Sequence, residues 1–378
     1  MNILHVIPTL GCGGAEVLVS NLAIQQAKSG HVVKIVILEP LHYTFDNFIA
    51  KDELQKLVTI EKISTKIKFL FFKRRVELSN TEFNDIVLNF SPTIIHSHLF
   101  QAELIARHTL VDTVKYFSHC HNNMSQFTAL KKGTLKRRLT DFLEVKWLLS
   151  KYKKCNNQFI VISRDTQIFF KRNLPKIFHN YINYLPNAIS SSLYYSSKNK
   201  SDSLIKLITV GNLLQNKGHL FLINSVYELK KMKYNIQLDI LGYGELEKEL
   251  IAKITELDLL NEVKLRGSVN NVPEYLSRAD IYIHGAFKEA FGLVLLEAMA
   301  SHLPVVTTNG GGNSELIQND INGYLIEFRN SIDFIDKIKY LIDNKNIRLR
   351  MGENSFKFSE SYNIDKYENI LNQLYSQN

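Results

Sequence analysis

The sequence predicts an α/β protein of two Rossmann-like domains with parallel sheets, and three observations carry that prediction. Its 378 residues are enough for two domains of ordinary size. Short apolar runs alternate with helical patterns along the chain, which calls for parallel strands joined by crossover helices. Glycine-bearing loops follow several of those runs, at the carboxyl ends where ligands of such sheets gather. With 45% hydrophobic and 22% charged residues the chain is globular in composition, neither fibrous nor disordered.

In the first domain, residues 3–7 read as a buried strand, 8–16 as a glycine loop, and the stretch to about residue 28 as an amphipathic helix. Such a βα unit lets backbone approach a phosphate. A dinucleotide fingerprint would begin at Gly11 and Gly13, but Glu16 stands where its third glycine belongs. Residues 93–98 and 116–121 are two strand ends that each finish in His-x-His. Positions two apart on a strand share a face, so His96 sides with His98 and His119 with His121. Together with Cys120 they invite a zinc reading; the ligand spacing of a zinc site is absent, and they are read as polar groups lining a cleft. Residues 159–163 form a further strand. Residues 190–203, rich in Ser, Lys and Asn, read as a linker.

The second domain repeats the pattern, with strands expected at 204–210, 236–241, 263–265, 281–283 and around Val305 and Val306. Loops 211–218 and 242–244 follow the first two. Glu289 lies in the loop after the strand 281–283, and Glu297 follows eight residues on, about two turns into a helix opening near Phe291 and Gly292. Between them, unpaired N–H groups of the helix N-terminus suit a phosphate or diphosphate. Val294, Leu295, Ala298 and Met299 give that helix a core face, but core packing does not account for two carboxylates.

The run Glu289-Ala-Phe-Gly-Leu-Val-Leu-Leu-Glu297 resembles the E-x7-E motif of the retaining glycosyltransferases of family 4. Its continuation Ala298-Met-Ala-Ser-His-Leu-Pro-Val-Val-Thr-Thr308, followed by Gly311-Gly-Asn-Ser-Glu315, is similar to that family's run to Gly-Gly-x-x-Glu. Gly13-Gly14-Ala15-Glu16 matches its N-terminal loop, which faces the donor's phosphates and the acceptor. Ser118-His-Cys-His-Asn-Asn123 is similar to its His-Ser-His-Asn stretch, whose histidine reaches the transferred sugar, and His121 is the better match because Asn122 follows it. Family members usually carry Arg after Val-Gly and Lys five residues later; this chain has Asn212 and Lys217.

The resemblance implies the GT-B fold, with two domains facing across a cleft. Residues 1–189 would form the acceptor-binding domain, to which a C-terminal helix in 361–378 crosses back, and 190–360 the nucleotide-sugar domain. It implies catalytic roles for Glu289, His121 and Lys217. It places Gly13, Gly14, Asn212, Gly242, Ala290, Phe291, Gly292, Leu293 and Glu297 at the substrates. With Asn212 uncharged, the leaving diphosphate would rest on Lys217 and the helix N-terminus, with Arg266 or Lys288 as further cations. No Asp-x-Asp-like metal site is present, so neither cofactor nor metal is expected.

The expected activity is therefore transfer of a sugar from a nucleotide diphosphate sugar, UDP-sugar favoured, to a glycan or lipid-linked acceptor in surface polysaccharide assembly such as lipopolysaccharide or capsule. Two alternatives stand beside it: a nucleotide-dependent epimerase or oxidoreductase using the Gly11 loop, and a catalytically silent GT-B binding protein. The net charge of +9 is uneven: residues 1–185 hold 25 Lys and Arg against 14 Asp and Glu, and the remainder carries a balance of −2. Basic residues interleave with aromatic and aliphatic ones at 66–75 and 131–154, which suits either an anionic membrane surface or a solvated basic face. No nucleic-acid motif accompanies the charge. There is no signal peptide pattern and no apolar run near the roughly 20 residues that span a bilayer. Cys12, Cys120 and Cys155 show no paired spacing, so a reducing compartment is expected: cytoplasmic, with peripheral contact on the inner membrane face.

Overall fold

The computed structural model describes residues 1–39, 41, 43–64, 68–69, 74–75, 80–131, 135–196 and 203–377. The chain forms two compact units, Met1–Pro186 with Tyr367–Asn378, and Asn187–Lys366. Most of the basic segment 66–75, part of 131–138 and part of the linker 190–203 lie outside the described residues.

In the first unit the strands are β1 (Asn2–Ile7), β2 (Val32–Ile37), β3 (Thr59–Lys62), β4 (Lys68–Phe69), β5 (Arg74–Arg75), β6 (Ile94–His98), β7 (Lys115–Cys120), β8 (Gln158–Val161) and β9 (Ile182–Tyr184). All but β4 and β5, which pair as a short antiparallel ribbon, belong to one sheet of order β3-β2-β1-β6-β7-β8-β9. Every pairing in that sheet is parallel. Strands covered on both faces read as near-continuous apolar runs, as Ile3, Leu4, Val6 and Ile7 do, all fully buried. One face packs Leu4, Val36 and Ile95 on Phe83 and Ile105, and the other packs Ile7 and Ile35 on Val19 and Ala23.

A buried ion pair also ties this unit together. Arg107 Nη1 lies 3.0 Å from Glu103 Oε2, with both side chains fully buried. Ser97, Ser118, Tyr152 and Asn157 complete the hydrogen bonding around the pair.

The second unit holds β10 (Ile205–Val210), β11 (Ile236–Leu241), β12 (Val263–Gly267), β13 (Ile281–His284), β14 (Val305–Thr308) and β15 (Gly323–Ile326). Their order is β12-β11-β10-β13-β14-β15, again parallel throughout. Its core joins Leu207, Ile240 and Ile281 to Leu222, Val226 and Phe334. In each sheet the winding reverses once, between β1 and β6 and between β10 and β13. Doubly wound sheets hold ligands outside the strand ends at that switch point.

The C-terminal region holds two helices, Lys345–Ser359 and Ile364–Ser376, the second of which is the helix expected from about residue 361. Asn363 stands between them in extended conformation, and its side chain accepts from Asp365 N–H at 2.9 Å, which starts the second helix anew.

Candidate active site

Three loops at the carboxyl ends of β10, β13 and β14 are joined backbone to backbone. At Gly218, which has φ +71°, a Cβ would stand 2.0 Å from the Gly285 carbonyl oxygen. At Gly312 a Cβ would stand 2.4 Å from the Ala290 carbonyl oxygen. Only glycine permits these approaches. Phe287 N–H donates to Asn216 O at 3.1 Å, and the Asn216 amide donates to Lys288 O at 3.2 Å. Glu289 is clamped by the glycine triplet: its N–H donates to Gly310 O at 2.6 Å, and its carbonyl accepts from Gly312 N–H at 2.9 Å.

With the backbone held, the Glu289 side chain meets Lys217, whose Nζ lies 2.5 Å from Oε2. His284, at the end of β13, places Nε2 3.6 Å from the same oxygen. Burial pushes the Glu289 carboxyl up, but the His284 imidazole and the Lys217 ammonium outweigh it and hold the pKa at about 2. Glu289 is thus ionised throughout the neutral range. His284 is itself lowered, by burial first, against the neighbouring Glu289 carboxylate, which raises it.

Gly292, with φ +93°, is the N-cap of the helix Leu293–Ala300. The helix therefore starts at Leu293, and Glu297 sits about one turn in, where two turns were expected. Phe291 and Leu293 are buried beside this N-terminus, and Ala290 is half-buried. Glu297 is 8% exposed. Burial raises its pKa to about 7, against a hydrogen bond from the Tyr194 hydroxyl that lowers it. Neither Tyr194 nor His284 was singled out from the sequence.

Asn212 is exposed, and its carbonyl accepts from His219 Nε2 at 3.2 Å. Gly242 packs on the same loop: a Cβ there would lie 2.0 Å from Gly211 O. Arg266, expected as a spare cation, is committed elsewhere, with Nε 2.9 Å and Nη2 2.8 Å from Asp239 Oδ1. That assignment is corrected. Lys288 is exposed.

The remaining expected residues lie in the first unit. Gly13 caps the helix Gly14–Lys28, and Glu16 folds back so that its carboxylate accepts from Gly13 N–H at 2.8 Å. His121 follows β7 and belongs to a group of five buried histidines with His5, His96, His98 and His119. His96 and His98 stack at 4.5 Å between centroids, His119 and His121 at 4.1 Å. Burial holds the pKa of His5 at about 4 and that of His121 at about 3, and places the other three well below the usual imidazole value. Two trios, His5 with His96 and His98, and His98 with His119 and His121, bring ring nitrogens within 4.8 Å. Within these trios His5 Nδ1 and His98 Nε2, and His98 Nδ1 and His121 Nε2, lie 2.9 Å apart and hydrogen-bond to each other, which takes those nitrogens from a shared metal.

Two parallel-sheet Rossmann-like units, the second carrying an ionised carboxylate, a lysine and a helix N-terminus at its switch point, define the GT-B fold. Residues 194–358 match the family of glycosyl transferases group 1. An uncharacterized glycosyltransferase of Haemophilus influenzae is 24% identical over 94% of either chain. The UDP-Gal:alpha-D-GlcNAc-diphosphoundecaprenol alpha-1,3-galactosyltransferase of Escherichia coli is 25% identical over 75% of this chain and 74% of its own. Among solved structures, Anabaena HepE in complex with UDP and glucose superposes with a TM-score of 0.79 at 18% identity, covering 100% of both chains. These findings support a glycosyltransferase of the GT-B fold.

Proposed function

We propose that this chain transfers a sugar, with retention of anomeric configuration, from a nucleotide diphosphate sugar, UDP-sugar favoured, to a glycan or lipid-linked acceptor in surface polysaccharide assembly. The observation that carries this reading is the Glu289–Lys217 pair on loops locked together by glycine contacts. A carboxylate kept ionised by its neighbours can hold sugar hydroxyls and offset the positive charge that grows on the ring as the glycosidic bond breaks. Lys217 and the amides at Leu293 and Val294 take up the charge of the departing diphosphate, so the reaction needs no metal. Glu297 accepts from ribose hydroxyls, and His121 hydrogen-bonds a hydroxyl of the transferred sugar. Support for the donor and acceptor classes comes from the name of the E. coli relative, which pairs a UDP-sugar with a lipid diphosphate.

The acceptor reading extends to peripheral contact with an anionic membrane on the cytoplasmic side. Leu135, Leu139, Phe142 and Leu143 recur at helical spacing on the helix Leu135–Lys154 and are all exposed, on a helix that also carries Arg137, Arg138 and Lys146. Among the described residues no helix is long and apolar enough to cross a membrane. The oxidoreductase alternative is not favoured, because the Glu16 carboxylate takes the Gly13 N–H that a dinucleotide phosphate would need.

Release of UDP or GDP from a panel of nucleotide sugars, measured for the wild type, Glu289→Ala and Glu297→Ala, tests the reading. Turnover in the wild type with loss in both variants is expected. Unimpaired transfer by both variants removes the assignment, and nucleotide binding without any turnover would leave a silent binding protein.

A further inference from the structure

The histidines of the first unit are joined by more than stacking. Gln26 Oε1 lies 2.8 Å from His5 Nε2, His5 Nδ1 lies 2.9 Å from His98 Nε2, and His98 Nδ1 lies 2.9 Å from His121 Nε2. Every member is buried. A neutral imidazole has one N–H and one lone pair, so each link dictates the next. The amide oxygen of Gln26 only accepts, and His5 must therefore carry its proton on Nε2. That leaves His5 Nδ1 as an acceptor, so His98 is protonated on Nε2, and by the same step so is His121. The chain ends at His121 Nδ1, a buried nitrogen with no hydrogen-bond partner among the described residues. His119, stacked on His121, leaves its own Nδ1 unpartnered in the same way. A buried polar atom left unpaired keeps its full desolvation cost, which a ligand supplying the missing partner recovers.

We propose that Gln26, His5 and His98 are positioning residues that fix His121 as the Nε2–H tautomer, so that its Nδ1 presents a lone pair to a hydroxyl donor of the substrate. The substrate role of His121 rests on the reading given under Proposed function; the polarity of the chain does not. Of the two orientations available to an imidazole chain, the one anchored on the Gln26 oxygen makes His121 an acceptor. The opposite orientation would make it a donor and suit a phosphate or carbonyl oxygen instead. The identity of one amide on the helix Gly14–Lys28 thus decides the chemistry at the far end of three rings.

Histidine-selective ¹⁵N labelling and two-bond ¹H–¹⁵N correlation at pH 7 read the tautomer directly, on the intact protein without ligand. The wild type is expected to show His121 as a single neutral species protonated on Nε2; protonation on Nδ1 would overturn the proposal. Gln26→Met, close in volume but with the amide oxygen replaced by a weakly accepting thioether, is expected to mix the two tautomers of His121 while a thermal melt stays cooperative. It should lower kcat about tenfold with KM for the nucleotide sugar little changed. An unchanged His121 tautomer in Gln26→Met overturns the chain as its cause. A shifted tautomer with unchanged kcat overturns the positioning role. Should the wild type turn over no nucleotide sugar at all, the functional reading fails, and the wild-type spectrum still decides the chain.

Discussion

Lys217 and Glu289, 72 residues apart in the chain, meet with Nζ 2.5 Å from Oε2 at the switch point of the second sheet. The pair gives each partner a definite state: the carboxylate stays ionised, and the ammonium is held on the loop after β10 beside the helix N-terminus. An arriving diphosphate competes with Glu289 for Lys217. Glu289→Gln is therefore expected to bind UDP at least as tightly as the wild type, while sugar transfer falls by at least about 100-fold, the scale for losing one group that stabilises transition-state charge. Calorimetric titration beside a turnover assay checks both halves. Lys217→Ala should instead weaken UDP binding by about 10- to 100-fold, the worth of one charge-assisted hydrogen bond.

Glu297 gives a pH signature of opposite sign. Its folded pKa is raised from the ordinary 4.5 to about 7, by burial. A carboxyl raised in this way contributes stability fully below pH 4.5 and loses it as pH climbs toward 7, by about 3 kcal/mol for a shift of this size. Urea unfolding without nucleotide, from pH 4.5 to 7.5, should show this loss in the wild type but not in Glu297→Gln. Ribose hydroxyls donating to the carboxylate favour its ionised form, so UDP binding near pH 7 should release protons, seen as a dependence of binding heat on buffer ionisation enthalpy.

The glycine contacts predict steric failures. In Gly218→Ala the new methyl would meet the Gly285 carbonyl at 2.0 Å, in a left-handed conformation alanine disfavours. A loss of at least about 2 kcal/mol by urea denaturation is expected, together with weakened UDP binding, because the displaced loop carries Lys217.

In the first unit, Arg107→Met strands the fully buried Glu103 without its counter-charge and is expected to cost about 3–5 kcal/mol. The double variant Glu103→Gln with Arg107→Met should recover part of that loss. Denaturation midpoints of the three proteins test this coupling.

Because Lys217 and backbone amides are proposed to balance the diphosphate, turnover in excess EDTA should match turnover in magnesium within about twofold. A loss of 100-fold or more on chelation would show that a metal carries that charge.

Features contiguous in the chain were the ones legible in the sequence. The Glu289-to-Glu297 spacing, the glycine triplet and the strand–helix alternation need only neighbouring residues to be seen. Lys217 came from the family resemblance, which places a lysine five residues after the position that Asn212 holds. His284 lies just beyond the expected strand 281–283, yet its relation to Glu289 depends on how the next loop folds back. Tyr194 meets Glu297, and His5 meets His98 across 93 residues, only through packing, and no local pattern announces such pairs. The helix register slipped for a backbone reason: the positive φ of Gly292 delays the first helical residue to Leu293. Arg266 was a plausible cation by charge alone until Asp239, on the neighbouring strand, took it.

The most direct measurement is the crystal structure of the protein soaked with UDP. The pyrophosphate is expected within hydrogen-bond distance of Lys217 Nζ and the first-turn amides at Leu293 and Val294, with the ribose hydroxyls on Glu297. Nucleotide bound at another place, with Glu289, Lys217 and Glu297 all out of its reach, would contradict the proposed site.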